Sequence, residues 1–217
     1  MAVSAVPRLI LASQSPRRRQ LMELIGLTFD VDPAHIDETY PPGEPPAQHA
    51  QRLASEKAQA VALRRPEALV VGSDTVVVVE GELLGKPADE TEALEMLMRL
   101  QGREHEVHSG IAVAAPRIPL GRPVEPGTPS AMVRVASGVE TVRVKFREFS
   151  LATAREYIET GEPMDKAGAY GIQGYGATIV ECIEGDYFAV MGLPIGRMIG
   201  LMRLLGWRYN FRGLEPV

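Results

Sequence analysis

Cysteine is nearly absent from this chain: Cys182 stands alone, so no internal disulfide can form and the cytoplasm is the expected compartment. The opening stretch MAVSAVPRLILAS lacks the charged start and long apolar core of a signal peptide. Long apolar runs are missing as well. The greasiest stretches, LVVGSDTVVVV and AVMGLPIGRMIGLM, are broken by Asp, Arg or Gly and fall short of the roughly 20 residues that span a bilayer, so no membrane role is expected. There is no basic excess either. The 23 Lys and Arg against 28 Asp and Glu leave a formal net charge of -5, which argues against a general nucleic-acid coat and leaves room only for a locally basic pocket. Neither a Walker loop nor a G-x-G-x-x-G fingerprint occurs, which disfavours the standard nucleotide folds, and no Ser-His-Asp or Cys-His hydrolase motif is found.

What is present is a globular composition. At 217 residues and 45% hydrophobic content the chain can bury a substantial core, and a single domain over residues 1–217 is the default reading. Five prolines between Pro116 and Pro129 mark a surface-loop insertion at about residues 116–131, flanked by strands.

The periodicity predicts an α/β class with a mixed sheet. Arg8 to Ala12 reads as a short strand, followed by a helix capped by Ser15, opened by Pro16 and stopped by Gly26. A second helix over Pro46 to about Arg65 carries Ala50, Leu53, Ala54, Ala58 and Val61 on one stripe, with Lys57 among them. Leu69 to Val79 reads as a buried strand that turns at Glu80-Gly81 into Glu82-Leu84. A helix over Glu90 to Leu100 follows, then strands near Glu106–Ala115 and Val133–Phe146, and a helix from a Ser150 cap to Gly161. After a glycine-rich segment come strands around Thr178–Cys182 and Tyr187–Met191, and a last helix from Pro194 to Gly206. Cys182 is expected in the core, and Trp207 as an anchor near the C-terminus.

Three features call for chemistry. Arg17, Arg18 and Arg19 sit in the first turn of a helix, where the macrodipole favours anions. A bound phosphate, held also by Ser13 and Ser15, would account for them, and a solvated basic helix start is the alternative. Asp74 lies in mid-strand among valines, where an unpaired carboxylate is costly; it suits a metal ligand, a proton acceptor for an attacking water, or a turn at a bulge. The segment from Gly161 to Gly174 mixes Asp165, Lys166, Tyr170 and Gln173 with closely spaced glycines, which let backbone approach a ligand. Lys86 in Gly85-Lys86-Pro87 could return to the same end of the sheet as Asp74. His105 and His108, three apart in a strand, face opposite ways and do not make a shared metal site.

Taken in order, LILASQSPRRRQL, IDE, RLASEKAQAV, VVGSDTVVV, LGKP, GEPMDKAGAYGIQG and EGDYFAVMGLP closely resemble the Maf family of nucleotide pyrophosphatases over nearly the whole chain. The resemblance implies an elongated mixed sheet with flanking helices and two lobes around a nucleotide cleft, similar to inosine triphosphate pyrophosphatases, and a homodimer. It implies a divalent metal, Mg2+ or Mn2+, and hydrolysis of a nucleoside triphosphate to the monophosphate and pyrophosphate. Residue by residue, it makes Asp74 the general base and assigns the triphosphate to Ser13, Arg18, Lys57, Lys86 and Lys166. Glu38, with Asp74, falls near the metal. Arg17, Thr75 and Gln173 match the dTTP/UTP branch, where the 7-methyl-GTP branch resembles Trp, Gln and Glu instead. Arg19 is left as a solvated residue. A nucleotide-binding regulator of septum formation, with little turnover, is the rival from another class.

Overall fold

The structure, a computed structural model, describes residues 8–116 and 133–217. The chain begins with β1 (Leu9–Leu11), α1 (Pro16–Leu24) and β2 (Asp30–Val31), then runs through α2 (Pro46–Arg64), β3 (Leu69–Val79) and β4 (Glu82–Leu84). It continues with α3 (Glu90–Leu100), β5 (Glu104–Pro116), β6 (Val133–Phe146) and α4 (Leu151–Glu159). Three 3-10 turns between Glu162 and Thr178 lead into β7 (Val180–Glu184) and α5 (Tyr187–Val190). The last elements are α6 (Ile195–Leu204) and a hairpin of β8 (Trp207–Tyr209) and β9 (Leu214–Pro216). Among the described residues, seven strands form one mixed sheet in the order β2-β1-β3-β5-β6-β7, with β4 also on β3.

Local chemistry explains most boundaries. Ser15 caps α1 by accepting from the Arg18 amide, with Pro16 at the first helical position. The β3–β4 hairpin turns on Glu80 (φ 53) and Gly81 (φ 81), the left-handed pair that a type I′ turn demands.

Helix α2 lies unusually close to the sheet. A Cβ placed on Gly72 of β3 would come within 2.3 Å of the Ala54 carbonyl oxygen, and one on Gly110 of β5 within 2.0 Å of that of Ala50. Glycines on the strands and alanines on the helix therefore let the two backbones touch. That proximity carries Lys57 onto the β3 strand.

Even-numbered residues of β3 face α2, where Ile10, Ala54, Ala58, Val61 and Val70 form one core. The odd-numbered residues face the other side, which holds two separate cores. One joins Leu69 and Val71 to α1 and α6 through Leu21, Met22, Met198 and Met202. The other joins Val77 and Val79 to α3 and α4 through Leu97, Leu100, Ala154 and Ile158. The stretch between them on β3 is Ser73 and Thr75, and there the two lobes part.

The edge of β3 is also interrupted there. Strand β1 pairs with Leu69–Val71 and β4 with Val77–Val79, so neither covers Gly72–Val76, while β5 runs along the opposite edge. The gap leaves the buried Asp74 and half-buried Thr75 beside a break in an otherwise continuous sheet.

Three expectations are corrected. Tyr187–Val190 is a short helix, because Asp186 caps it by accepting from the Phe188 amide; four residues are too few for a helical period to show in sequence. Strand β7 starts at Val180, two residues later than expected, after a 3-10 turn over Gly174–Thr178. Cys182 is exposed instead of core, because β7 is the edge strand, paired only with β6. Trp207 is buried in the core beside α1 and α6, as expected. The proline-rich segment lies outside the described residues except Pro116, the last residue of β5.

Candidate active site

Two adjoining cavities of about 300 and 670 Å³ make a cleft at the break in β3. Both are lined by Ser15, Arg17, Arg18, Thr75, Lys86 and Asp165, which form the wall between them. The larger chamber adds Ser13, Glu38, Lys57 and Asp74. The smaller adds Glu162, Lys166, Tyr170, Gln173 and Gly192. Every sequence-predicted site residue thus lines one chamber or both.

In the larger chamber Lys57 is the hub. Its Nζ donates to Asp74 Oδ1 at 2.7 Å and pairs with Glu38 Oε1 at 2.7 Å. Lys57 and Asp74 are both buried, whereas Glu38 is largely exposed. The lysine expected on the triphosphate is seated between two carboxylates, which neutralises a charge that mid-strand burial would penalise. Those carboxylates are hard oxygen donors at the chamber wall. Mg2+ binds by one or two carboxylates plus substrate phosphates, so Asp74 and Glu38 fit such an ion without a third protein ligand. Among the described residues no group of three or more His, Cys, Asp or Glu is placed to hold a metal.

Ser13 accepts twice, from the Ser15 amide at 3.2 Å and from Arg18 Nη1 at 3.1 Å, which leaves its own proton to give to a phosphate oxygen. Arg18 spends its other nitrogens on the Gly192 carbonyl (Nε, 2.9 Å) and Thr75 Oγ1 (Nη2, 3.3 Å). Burial lowers its proton affinity, Asp74 opposes that, and the guanidinium stays charged at neutral pH. Lys86 is exposed on the dividing wall. Arg19 points to solvent and pairs with Glu23, as expected.

The smaller chamber is built on the glycine-rich segment. Arg17 reaches across the cleft to Asp165 Oδ2 at 3.0 Å, and Lys166 Nζ takes Asp165 Oδ1 at 2.6 Å. Burial alone would raise the Asp165 carboxyl, but these two cations outweigh it and hold it below the usual carboxylate range. Gln173 is exposed at the chamber mouth. Beneath it, Glu162 takes the Tyr157 hydroxyl (2.7 Å) and the amides of Tyr175 and Gly176 (both 2.9 Å), and Tyr157 in turn accepts from the Gly171 amide at 3.0 Å. One carboxylate and one phenol therefore fix both ends of the loop that presents Gln173.

The wall opposite is Met191-Gly192, tied to the sheet by two fully buried serines. Ser73 Oγ lies 2.8 Å from the Gly192 and Gly110 carbonyls, and Ser109 Oγ 2.6 Å from the Ala189 carbonyl. Sequence reasoning missed Ser73, Ser109, Glu162 and Tyr157, and singled out Asp165 only as part of the glycine-rich segment. Only the acids in a glycine-rich run offered a signal.

His105 and His108 take no part. His105 packs against Phe146 and bonds Tyr170 at 2.7 Å, and His108 bonds Thr141 at 2.9 Å.

The family model for Maf-like proteins matches residues 8–205, which include every cleft residue named above. The chain belongs to the Maf family. Among its relatives is a dTTP/UTP pyrophosphatase of Koribacter versatilis, 47% identical over 198 residues, which are 91% of this chain and 94% of that one. Another, from Geobacillus sp., is 46% identical over 92% of this chain and 99% of its own, and bears the same name. So does one from Aquifex aeolicus, 42% identical over 91% and 95%. A solved structure of a HAM1 protein from Coxiella burnetii covers 64% of this chain and 73% of its own at 18% identity, and its TM-score of 0.35 is too low to carry an argument. No helix among the described residues is long and apolar enough to cross a membrane.

Proposed function

We propose that this Maf protein hydrolyses dTTP and UTP to the monophosphate and pyrophosphate. The observation that carries this is the divided cleft: a chamber holding Ser13, Lys57 and Asp74 adjoins one that presents Gln173, Tyr170 and the Gly192 backbone above the Lys166–Asp165 ion pair, with Arg17, Arg18, Thr75 and Lys86 between them. A triphosphate suits the first and a base the second. Relatives named for dTTP and UTP supply the base class.

In this reading Asp74 accepts a proton from the water that attacks the α-phosphorus, the new P–O bond forms as the bond to the bridging oxygen breaks, and pyrophosphate leaves. Ser13, Arg18, Lys86 and Lys166 stabilise charge on the phosphate oxygens. Lys57 fixes the Asp74 carboxylate in place through its 2.7 Å hydrogen bond, which is a different role from direct phosphate contact. Mg2+ or Mn2+, held by Asp74 and Glu38, would supply further neutralisation of the triphosphate when bound. The family resemblance also supports a homodimer, which sedimentation of the 23.6 kDa chain would test.

Pyrophosphate release from a panel of dTTP, UTP, CTP, purine triphosphates and 7-methyl-GTP, with Mg2+ or with chelator, tests the function. Turnover concentrated on dTTP and UTP, and lost with chelator, is expected. Asp74→Asn should lower kcat by about 10²- to 10⁴-fold with folding intact, and full activity in that variant would refute the role given to Asp74.

A further inference from the structure

Ser109 is buried on β5, opposite Thr75 of β3 in the antiparallel ladder, so both side chains share a face. Its hydroxyl lies 2.6 Å from the Ala189 carbonyl oxygen, a group that can only accept. The single Ser109 proton is therefore spent there. Thr75 Oγ1 lies 2.9 Å from Ser109 Oγ, and with that proton committed Thr75 has to donate. Thr75 in turn accepts from Arg18 Nη2. The hydrogen bonds run one way, from Arg18 to Thr75 to Ser109 to Ala189.

It follows that Thr75 has no proton left for the cleft and offers a ligand only a lone pair. The approach to that lone pair is open because of Gly192: a Cβ there would lie 3.3 Å from Thr75 Oγ1 and 3.5 Å from Arg18 Nε. We propose that Ser109 is a positioning residue that fixes Thr75 as an acceptor, so that the cleft selects bases with an imide N–H, uracil and thymine, over cytosine. The proposal rests on the pyrimidine triphosphate reading above and adds a reason for it. Uracil and thymine both present N3–H between two carbonyls, to one of which Arg17 can donate. Cytosine presents a lone pair at N3, which would meet the lone pair of Thr75 and leave both without a proton.

Steady-state kcat/KM for UTP, dTTP and CTP, measured on the wild-type protein and on Ser109→Ala with melting temperatures alongside, tests this. Wild-type protein should favour UTP over CTP by about tenfold or more. In Ser109→Ala the Thr75 hydroxyl is free to turn its proton to the cleft, so the CTP-to-UTP ratio of kcat/KM should rise about tenfold. An unchanged ratio in the folded variant overturns the proposal, as does an equal loss on all three nucleotides, which is what structural damage alone would give. A second measurement needs no variant. The imide proton of 5-fluorouridine triphosphate is more acidic than that of UTP, so as pH rises its kcat/KM should begin to fall at a lower pH than that of UTP, and superimposable profiles overturn the proposal. If wild-type protein releases pyrophosphate from none of the three nucleotides, the function proposed above falls and takes this inference with it.

Discussion

Lys57 is a cation within reach of two carboxylates, buried on a helix face whose other members are alanine, leucine, valine and the single His49. Replacing it by Met leaves Asp74 charged, buried and unpaired, which should cost about 3 kcal/mol of stability in urea denaturation. Adding Asp74→Asn to Lys57→Met should restore most of that loss. If the double variant were as weak as the sum of the singles, the pair would not be coupled. Both residues were legible in the sequence because each violates the pattern around it: a lysine on an apolar stripe, an aspartate among valines. Ser73 and Ser109 violate nothing, since a serine in a strand is ordinary. Their roles depend on the β3–β5 register and on where Ala189 and Gly192 return, which no local pattern records. Glu162 lay in plain view in the glycine-rich run, yet its three partners are fixed only by how that run folds back on α4.

At the scale of elements, the seat of α2 on the sheet decides where Lys57 meets Asp74. Gly110→Ala would drive a methyl group into the Ala50 carbonyl, so a loss of about 1–3 kcal/mol is expected, together with a fall in turnover as α2 is pushed off β3. Gly200→Ala in the middle of α6 meets nothing within 4 Å and should raise stability by about 0.5–1 kcal/mol. Thermal denaturation of the two variants, read beside pyrophosphate release, checks both statements. Helices with a cap, such as α1, or with an apolar face, such as α2 and α3, were readable in advance, as was the Glu80-Gly81 hairpin. An element held mainly by tertiary partners was not: α5 is one turn of helix between a cap and a glycine, and β7, read as a strand, starts two residues later than its sequence suggested.

The whole molecule divides its core, and the half around α3 and α4 contains a buried histidine. Burial holds His105 neutral down to about pH 4, whereas an unfolded chain protonates it near pH 6.5. Between those values the unfolded state binds more protons, so this residue's stabilisation is present above about pH 6.5 and is lost as pH falls toward 4. The full effect is about 3 kcal/mol. His105→Phe should flatten the decline of the denaturation midpoint over that window, whatever it does to stability at neutral pH, and an unchanged slope would assign the acid sensitivity elsewhere. Its Nδ1 has no partner among the described residues, consistent with a group kept for packing against Phe146 and Tyr170.

The break along β3 has a dynamic consequence. A strand in the middle of a sheet ordinarily has its amides locked on both sides, but between Gly72 and Val76 the side away from β5 has, among the described residues, no strand to bond. Amide protons on that side should exchange with deuterium as though they belonged to an edge, while their neighbours at Val70 and Val78 remain slow. A nucleotide seated in the cleft would shield them from solvent. Slowed exchange confined to this stretch would then report occupancy of the site even in a variant such as Asp74→Asn that can no longer turn substrate over.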